Sequence, residues 1–227
     1  MHEYVNGLYS VQTSLDTNVL KKTCLDMQSI INSLFSRKSN SIDGQTTLNE
    51  KLFYKYNLLL YPLPAIHELY FEIQNYFRFA TESYFKEPYK EKHFIQCWLN
   101  VYNKGDFIDW HHHDWNSNRP NKPRAWHGFF CVDVEPNSKT SYKWKGVNEV
   151  IDIQSKNGLM VMGISDGDVH KSSAWNEDNP RITIAFDIVP EKHIFYDDGR
   201  SNLVKFLNNN NSPKEIIQAY TNHWVPI

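Results

Sequence analysis

The sequence predicts a mainly β domain, a sandwich or barrel, with helices at both ends. Three observations carry this. Hydrophobic residues recur at helical spacing through the first third of the chain. Near residue 94 that spacing gives way to short runs rich in β-branched and aromatic residues, separated by Gly, Asn, Asp and Pro. After residue 190 a helical pattern returns. The chain is therefore read as one domain with three parts: a helical N-terminal support region (1–93), a β core (94–190) and a C-terminal helical extension (191–227).

The elements follow in order. Leu15, Val19, Leu20, Cys24, Met27, Ile30, Ile31, Leu34 and Phe35 form the apolar stripe of a first helix, with Ser14, Asp16 or Thr17 as its cap. RKSNSIDGQT is polar and contains a glycine, so it reads as a loop. YKYNLLLYP is short and apolar and stops at Pro62, which predicts a strand. Pro64 then opens a second helix as its first residue, where the missing N–H costs nothing. Ile66, Leu69, Tyr70, Ile73, Tyr76, Phe77 and Tyr84 are its core-facing stripe. HFIQCWLNVY, WHGFFCVDVE, TSYKW, EVIDIQ, GLMVMGI and RITIAFDIV read as strands. SNLVKFL and SPKEIIQAY read as helices, the latter with Ser212 as cap and Pro213 as first residue.

Composition narrows the function class. With 227 residues, 41% hydrophobic and 22% charged, the chain has the makings of a sizeable core. Lys and Arg number 24 against 26 Asp and Glu, so the net charge of -2 disfavours a protein whose task is gripping nucleic-acid phosphates. No apolar run reaches the roughly 18 residues of a membrane span, and the N-terminus shows no secretory pattern. Cys24, Cys97 and Cys131 are few, odd in number and far apart. They read as buried thiols in a reducing compartment, and the expected location is the cytoplasm.

One segment concentrates ligand chemistry: NVYNKGDFIDWHHHDW. Residues two apart in a strand share a face, about 6.6–6.8 Å apart. The run therefore offers two candidate metal-ligand pairs, His111 with His113 or His112 with Asp114. A third ligand should come from another strand, and His170, after the apolar run GLMVMGI, is the natural choice. Downstream, alternation places Arg181 and Thr183 on one face of the last strand, with Ile182, Ile184 and Phe186 on the other. An inward Arg requires an anion, because an unpaired buried charge is costly, and its planar fork suits a carboxylate.

In order, these motifs resemble the Fe(II)/2-oxoglutarate-dependent oxygenases. The pattern is His-x-carboxylate, a distant His, then Arg-x-Thr. Asn100-x-Tyr102-x-x-Gly105 is similar to the cosubstrate-contacting strand of the nucleic-acid dealkylase branch. Tyr-x-x-Gly followed by His after six residues is similar to the prolyl hydroxylases. WHHHD is similar to the WHxHP of a group common in marine phages and bacteria. The resemblance covers roughly residues 94–190. It implies a double-stranded β-helix (jelly-roll, cupin-like) core, Fe(II) as metal, 2-oxoglutarate as small-molecule cosubstrate, and oxidation of a second, unidentified substrate. It further implies that Arg181 and Thr183 hold the far carboxylate of 2-oxoglutarate, with Tyr102 helping and Asn100 near the keto-acid end.

Two registers remain open. Counting six and eight residues from Gly105 selects His111 and His113, with His170, and that set is favoured. Counting by residue type selects His112 and Asp114, which requires a one-residue bulge. Outside the register, Asp114 would orient a ligand histidine. Trp110, Trp126, His127, Phe129 and Trp175 are candidates to line the pocket, each weighed against plain core packing. Two other functional readings stand beside the oxygenase: a three-histidine cupin-type metal enzyme without 2-oxoglutarate, and a non-catalytic β-helix binding or assembly module.

Overall fold

Strand alternation after residue 92 builds two antiparallel sheets whose inner faces meet. The computed structural model describes residues 2–5, 7–35, 56–86, 90–113, 124–144, 148–165, 168–191 and 224–227. The strands are β1 (His2–Val5), β2 (Leu8–Gln12), β3 (His93–Tyr102), β4 (Ile108–His111), β5 (Trp126–Asp133), β6 (Lys139–Trp144), β7 (Ile151–Gln154), β8 (Leu159–Ile164), β9 (Asp168–Ser172), β10 (Arg181–Pro190) and β11 (Val225–Pro226). The helices are α1 (Thr17–Phe35) and α2 (Pro64–Phe85). Seven strands form the larger sheet in the order β1-β2-β8-β5-β10-β3-β11, and four form the smaller in the order β4-β9-β6-β7. This is a double-stranded β-helix with its helices stacked outside.

The helices cover the outer face of the larger sheet because that face is apolar. Ile182, Ile184, Phe186 and Ile188 of β10 point outward and join Leu20, Cys24, Met27 and Ile31 of α1 and Ile66, Leu69, Ile73 and Phe77 of α2 in one buried cluster. Val19 and Ile30 lie off this face and are exposed, so the stripe of α1 is narrower than its sequence suggests. Asp16 is the residue that caps α1, accepting from the N–H groups of Asn18 and Val19 at 3.0 and 3.2 Å. Pro64 is the first residue of α2, and Lys86 closes that helix in the left-handed conformation.

Several elements depart from expectation. Residues 2–12, grouped in sequence with the helical support, form the β1–β2 hairpin, and β2 pairs with β8 to extend the sheet. The strand expected at YKYNLLLYP is instead a 3₁₀ turn at Leu58–Leu60. The reason is Asn57. Its side-chain oxygen accepts from the N–H of Leu59 and of Cys97, while its amide donates to Ile95 O, so a side chain takes the place of a ladder. The two C-terminal helices expected after residue 190 lie outside the described residues, and the described end of the chain is β11, paired with β3.

Candidate metal centre and anion pocket

Four inward positions of β10 line one side of the space between the sheets: Arg181, Thr183, Ala185 and Asp187. Their ladder partners on β3 are Tyr102, Asn100, Trp98 and Gln96. The opposite wall comes from the smaller sheet, with Thr140 and Tyr142 of β6 and His170 and Ser172 of β9. The pocket between them has an empty volume of about 530 Å³, counted out to its solvent mouth.

A bulge decides which histidines enter it. Ile108 pairs with Ser172, but His111 rather than Trp110 pairs with His170, because one extra residue is inserted between them. Ile108 and His111 therefore both face the pocket, and His113 follows two residues on. Trp110 is turned to the rim, 38% exposed, with Lys171 Nζ 4.8 Å from its ring centre. His112 is exposed, and Asp114 lies outside the described residues.

A nitrogen from each of His111, His113 and His170 lies within 4.8 Å of the others. The hydrogen bonds of the rings set which nitrogen is available. His111 Nδ1 donates to the carbonyl oxygen of Asp109 at 2.9 Å, and His113 Nδ1 donates to Asp187 Oδ1 at 2.5 Å. Neither acceptor has a proton to give, so both rings carry hydrogen on Nδ1, which leaves Nε2 as the atom each would turn to a metal. His170 turns its Nδ1 toward Asp168 Oδ2, 3.4 Å away. Burial, aided by repulsion from His113, lowers the pKa of His111 to about 4. Burial also holds His170 well below its ordinary value. The two rings are thus neutral near pH 7, the form in which imidazole binds a metal.

A second group shares His170. Asp168 Oδ2 lies 3.1 Å from His127 Nε2, and all three atoms facing one another, including His170 Nδ1, are buried without an aligned hydrogen bond. Burial alone would raise the pKa of the Asp168 carboxyl, but His127 and His170 hold it well below the usual carboxylate range. His127 is fixed on its other side by Ser165 Oγ at 3.0 Å.

At the other end of β10, Arg181 is 3% exposed. It donates to Ser172 Oγ, lies 3.4 Å from Thr140 Oγ1 and packs on the Tyr102 ring. Its Nε has no partner, and among the described residues no carboxylate pairs with it. A buried cation among hydroxyls and a ring face is suited to receive an anion. Thr183 and Asn100 line the same pocket.

Of the other residues considered from sequence, Phe129 and His127 line the pocket. Trp126 does not: it points to the helix side, against Tyr9 and Phe77. Trp175 packs beside Tyr102 and Ile108 and donates from its indole to Asn179 O. The sequence reading missed Asp187, Trp98 and Tyr142. The alternation that places Arg181 and Thr183 inward also reaches Asp187 two steps further on.

No family model matches the chain and no curated protein matches it in sequence. Solved structures match it in fold. The non-haem α-ketoglutarate-dependent carbocyclase SnoK from nogalamycin biosynthesis aligns with a TM-score of 0.54 at 10% identity, over 80% of this chain and 79% of that one. The α-ketoglutarate-dependent epimerase SnoN from the same biosynthesis gives 0.52 at 10% identity, over 81% and 76%. A Pseudomonas putida prolyl-4-hydroxylase gives 0.51 at 10% identity, over 81% and 92%. At such identities the likeness is one of fold, and the fold is the double-stranded β-helix of the 2-oxoglutarate/Fe(II) oxygenases.

Proposed function

We propose that the chain is a non-haem Fe(II)- and 2-oxoglutarate-dependent dioxygenase, a hydroxylase by reaction type, acting on an unidentified substrate. One observation carries the reading: a buried arginine with no carboxylate partner among the described residues lines the same pocket as three convergent histidines. A dicarboxylate bridges two such features, one end on a metal and one on a guanidinium. The site residues fit both groups, the histidines by nitrogens that converge within 4.8 Å and the arginine by its buried Nε without a hydrogen-bond partner.

In this reading His111, His113 and His170 hold the metal. Arg181 takes the far carboxylate of 2-oxoglutarate in two-point fashion, and Thr183 and Tyr102 add hydroxyls beside it. Asn100, one step along β3 toward the histidines, stands near the keto-acid end. Metal and cosubstrate together supply the oxidising power, and the protein supplies orientation and a dry wall. Phe129 and Tyr142 form that wall, and Trp98, stacked at 6.2 Å on the His113 ring, closes the side toward β3. The three cysteines are free and buried, in keeping with a reducing, cytoplasmic setting.

Anaerobic addition of Fe(II) and 2-oxoglutarate to the metal-free protein tests this. A weak visible charge-transfer band that needs both components is the expected result, followed by succinate formation in air. A second reading, a three-histidine metal enzyme without 2-oxoglutarate, draws on the all-histidine make-up of the His111–His113–His170 group among the described residues. It expects iron binding with no band on adding 2-oxoglutarate. A non-catalytic module expects neither.

A further inference from the structure

We infer that Asp187 is the positioning residue of the three-histidine centre, lending it through His113 the negative charge that the ligand set lacks. This rests on the metal reading above and adds a residue to it.

Asp187 stands on the inward face of β10, 3% exposed, with Oδ1 2.5 Å from His113 Nδ1. It belongs to neither group of described side chains that could share a metal ion, and its hydrogen bond to the centre is made to the His113 ring. His113 needs such a partner more than its neighbours do. His111 ends β4 opposite His170, and His170 lies within β9, so ladders hold both. His113 lies beyond the last ladder residue of β4. Its ring is set by Trp98 on one face, at 24° between planes, and by Asp187 at its edge.

A carboxylate can only accept here, so it fixes hydrogen on Nδ1 and directs the Nε2 lone pair inward. It does more than a carbonyl would. Three imidazole ligands would leave the full charge of a divalent ion unopposed, and a carboxylate at the back of one ring makes that ring a stronger donor. A carboxylate ligand is thereby moved outward by one side chain, onto the strand that also carries Arg181. β10 then brings a cation to the cosubstrate end and an anion to the metal end.

The test uses the full chain and Co(II), whose visible spectrum reports ligand geometry. Wild type should bind one Co(II) at a site lost in His170→Ala. Asp187→Asn, which keeps an acceptor but not the charge, should weaken Co(II) about tenfold, and Asp187→Ala by about 10- to 100-fold with an altered spectrum. In iron-loaded protein, Asp187→Asn should also raise the Fe(III)/Fe(II) potential. Because a buried change can unsettle the fold, the deciding measurement is the iron potential read beside the urea midpoint of the metal-free protein: Asp187→Asn should raise the potential whether or not the midpoint moves, whereas a merely structural Asp187 would lower the midpoint and leave the potential where it was. Normal Co(II) binding in both Asp187 variants, or an unmoved potential in Asp187→Asn, overturns the inference and leaves the metal reading standing. A wild-type protein that binds no Co(II) overturns both.

Discussion

The guanidinium carbon of Arg181 lies 4.9 Å from the centre of the Tyr102 ring, and the two residues are direct partners across the β3–β10 ladder. The ring holds the arginine's flat face while Ser172 and Thr140 take its edge. Burial raises the pKa of the Tyr102 hydroxyl although Arg181 opposes this, so the tyrosine stays neutral and leaves the cation uncompensated. Arg181→Lys keeps the charge and loses the fork. It should weaken 2-oxoglutarate binding by about 1–3 kcal/mol while Fe(II) binding persists. Calorimetry with each ligand checks this, and an unchanged 2-oxoglutarate affinity would remove the arginine from the site.

His111 and His170 face each other with ring centres 4.3 Å apart. Replacing either by alanine should abolish tight metal binding, and the fold should survive because neither belongs to the apolar core. Metal content after dialysis against Fe(II), read beside circular dichroism, measures both outcomes. Full metal content in His111→Ala would refute its role as ligand.

Acidification should destabilise the metal-stripped protein. His111 titrates near 4 when folded and near its ordinary 6.5 when unfolded. The unfolded chain therefore takes up the proton first, and stability present above about 6.5 is lost as pH falls toward 4. His170 acts in the same direction. In EDTA, Tm should fall between pH 7 and 4.5, and it should fall less in His111→Gln. Equal slopes for the two proteins would contradict the assignment.

Gly128 is required by packing rather than by its backbone angles. A Cβ there would press on Val161 O and come within 2.5 Å of Phe186 Cζ. Both neighbours sit in the middle of the larger sheet, where nothing can yield cheaply. Gly128→Ala should cost about 1–3 kcal/mol, the usual penalty of overpacking, visible as a lower urea midpoint. A midpoint equal to wild type would show that the sheet relaxes.

The thiols should be inert while the protein is folded. Burial pushes Cys24 up to about 12 and raises Cys97 and Cys131 as well. At pH 8 the native protein should not react with a disulfide reagent, and all three thiols should react in urea. Prompt labelling of native protein would be the contrary result.

Local pattern carried much of this structure into the sequence. Alternation along RITIAFDIV separates bulky apolar positions from Arg181, Thr183 and Ala185, and the structure turns the first set to the helices and the second to the pocket. Pro64 marked the start of α2 for a reason internal to one residue. The β1–β2 hairpin was not legible, because its stability comes from pairing with β8, some 150 residues away. Nor was the 3₁₀ turn at Leu58–Leu60, where the deciding bonds run from Asn57 to β3.

The sequence by itself determined which residue types the site could use: consecutive histidines after a strand, a later histidine, and an arginine two residues before a threonine. It left the register of the histidine run open, because a period of two cannot tell one face from the other once an extra residue is admitted. Strict alternation from Ile108 would turn residues 110, 112 and 114 inward. The bulge between Ile108 and His111 inverts this, placing His111 opposite His170 and leaving Trp110 and His112 exposed. That inversion is set by how β4 pairs with β9, a contact between segments some 60 residues apart, and only the tertiary structure could decide it.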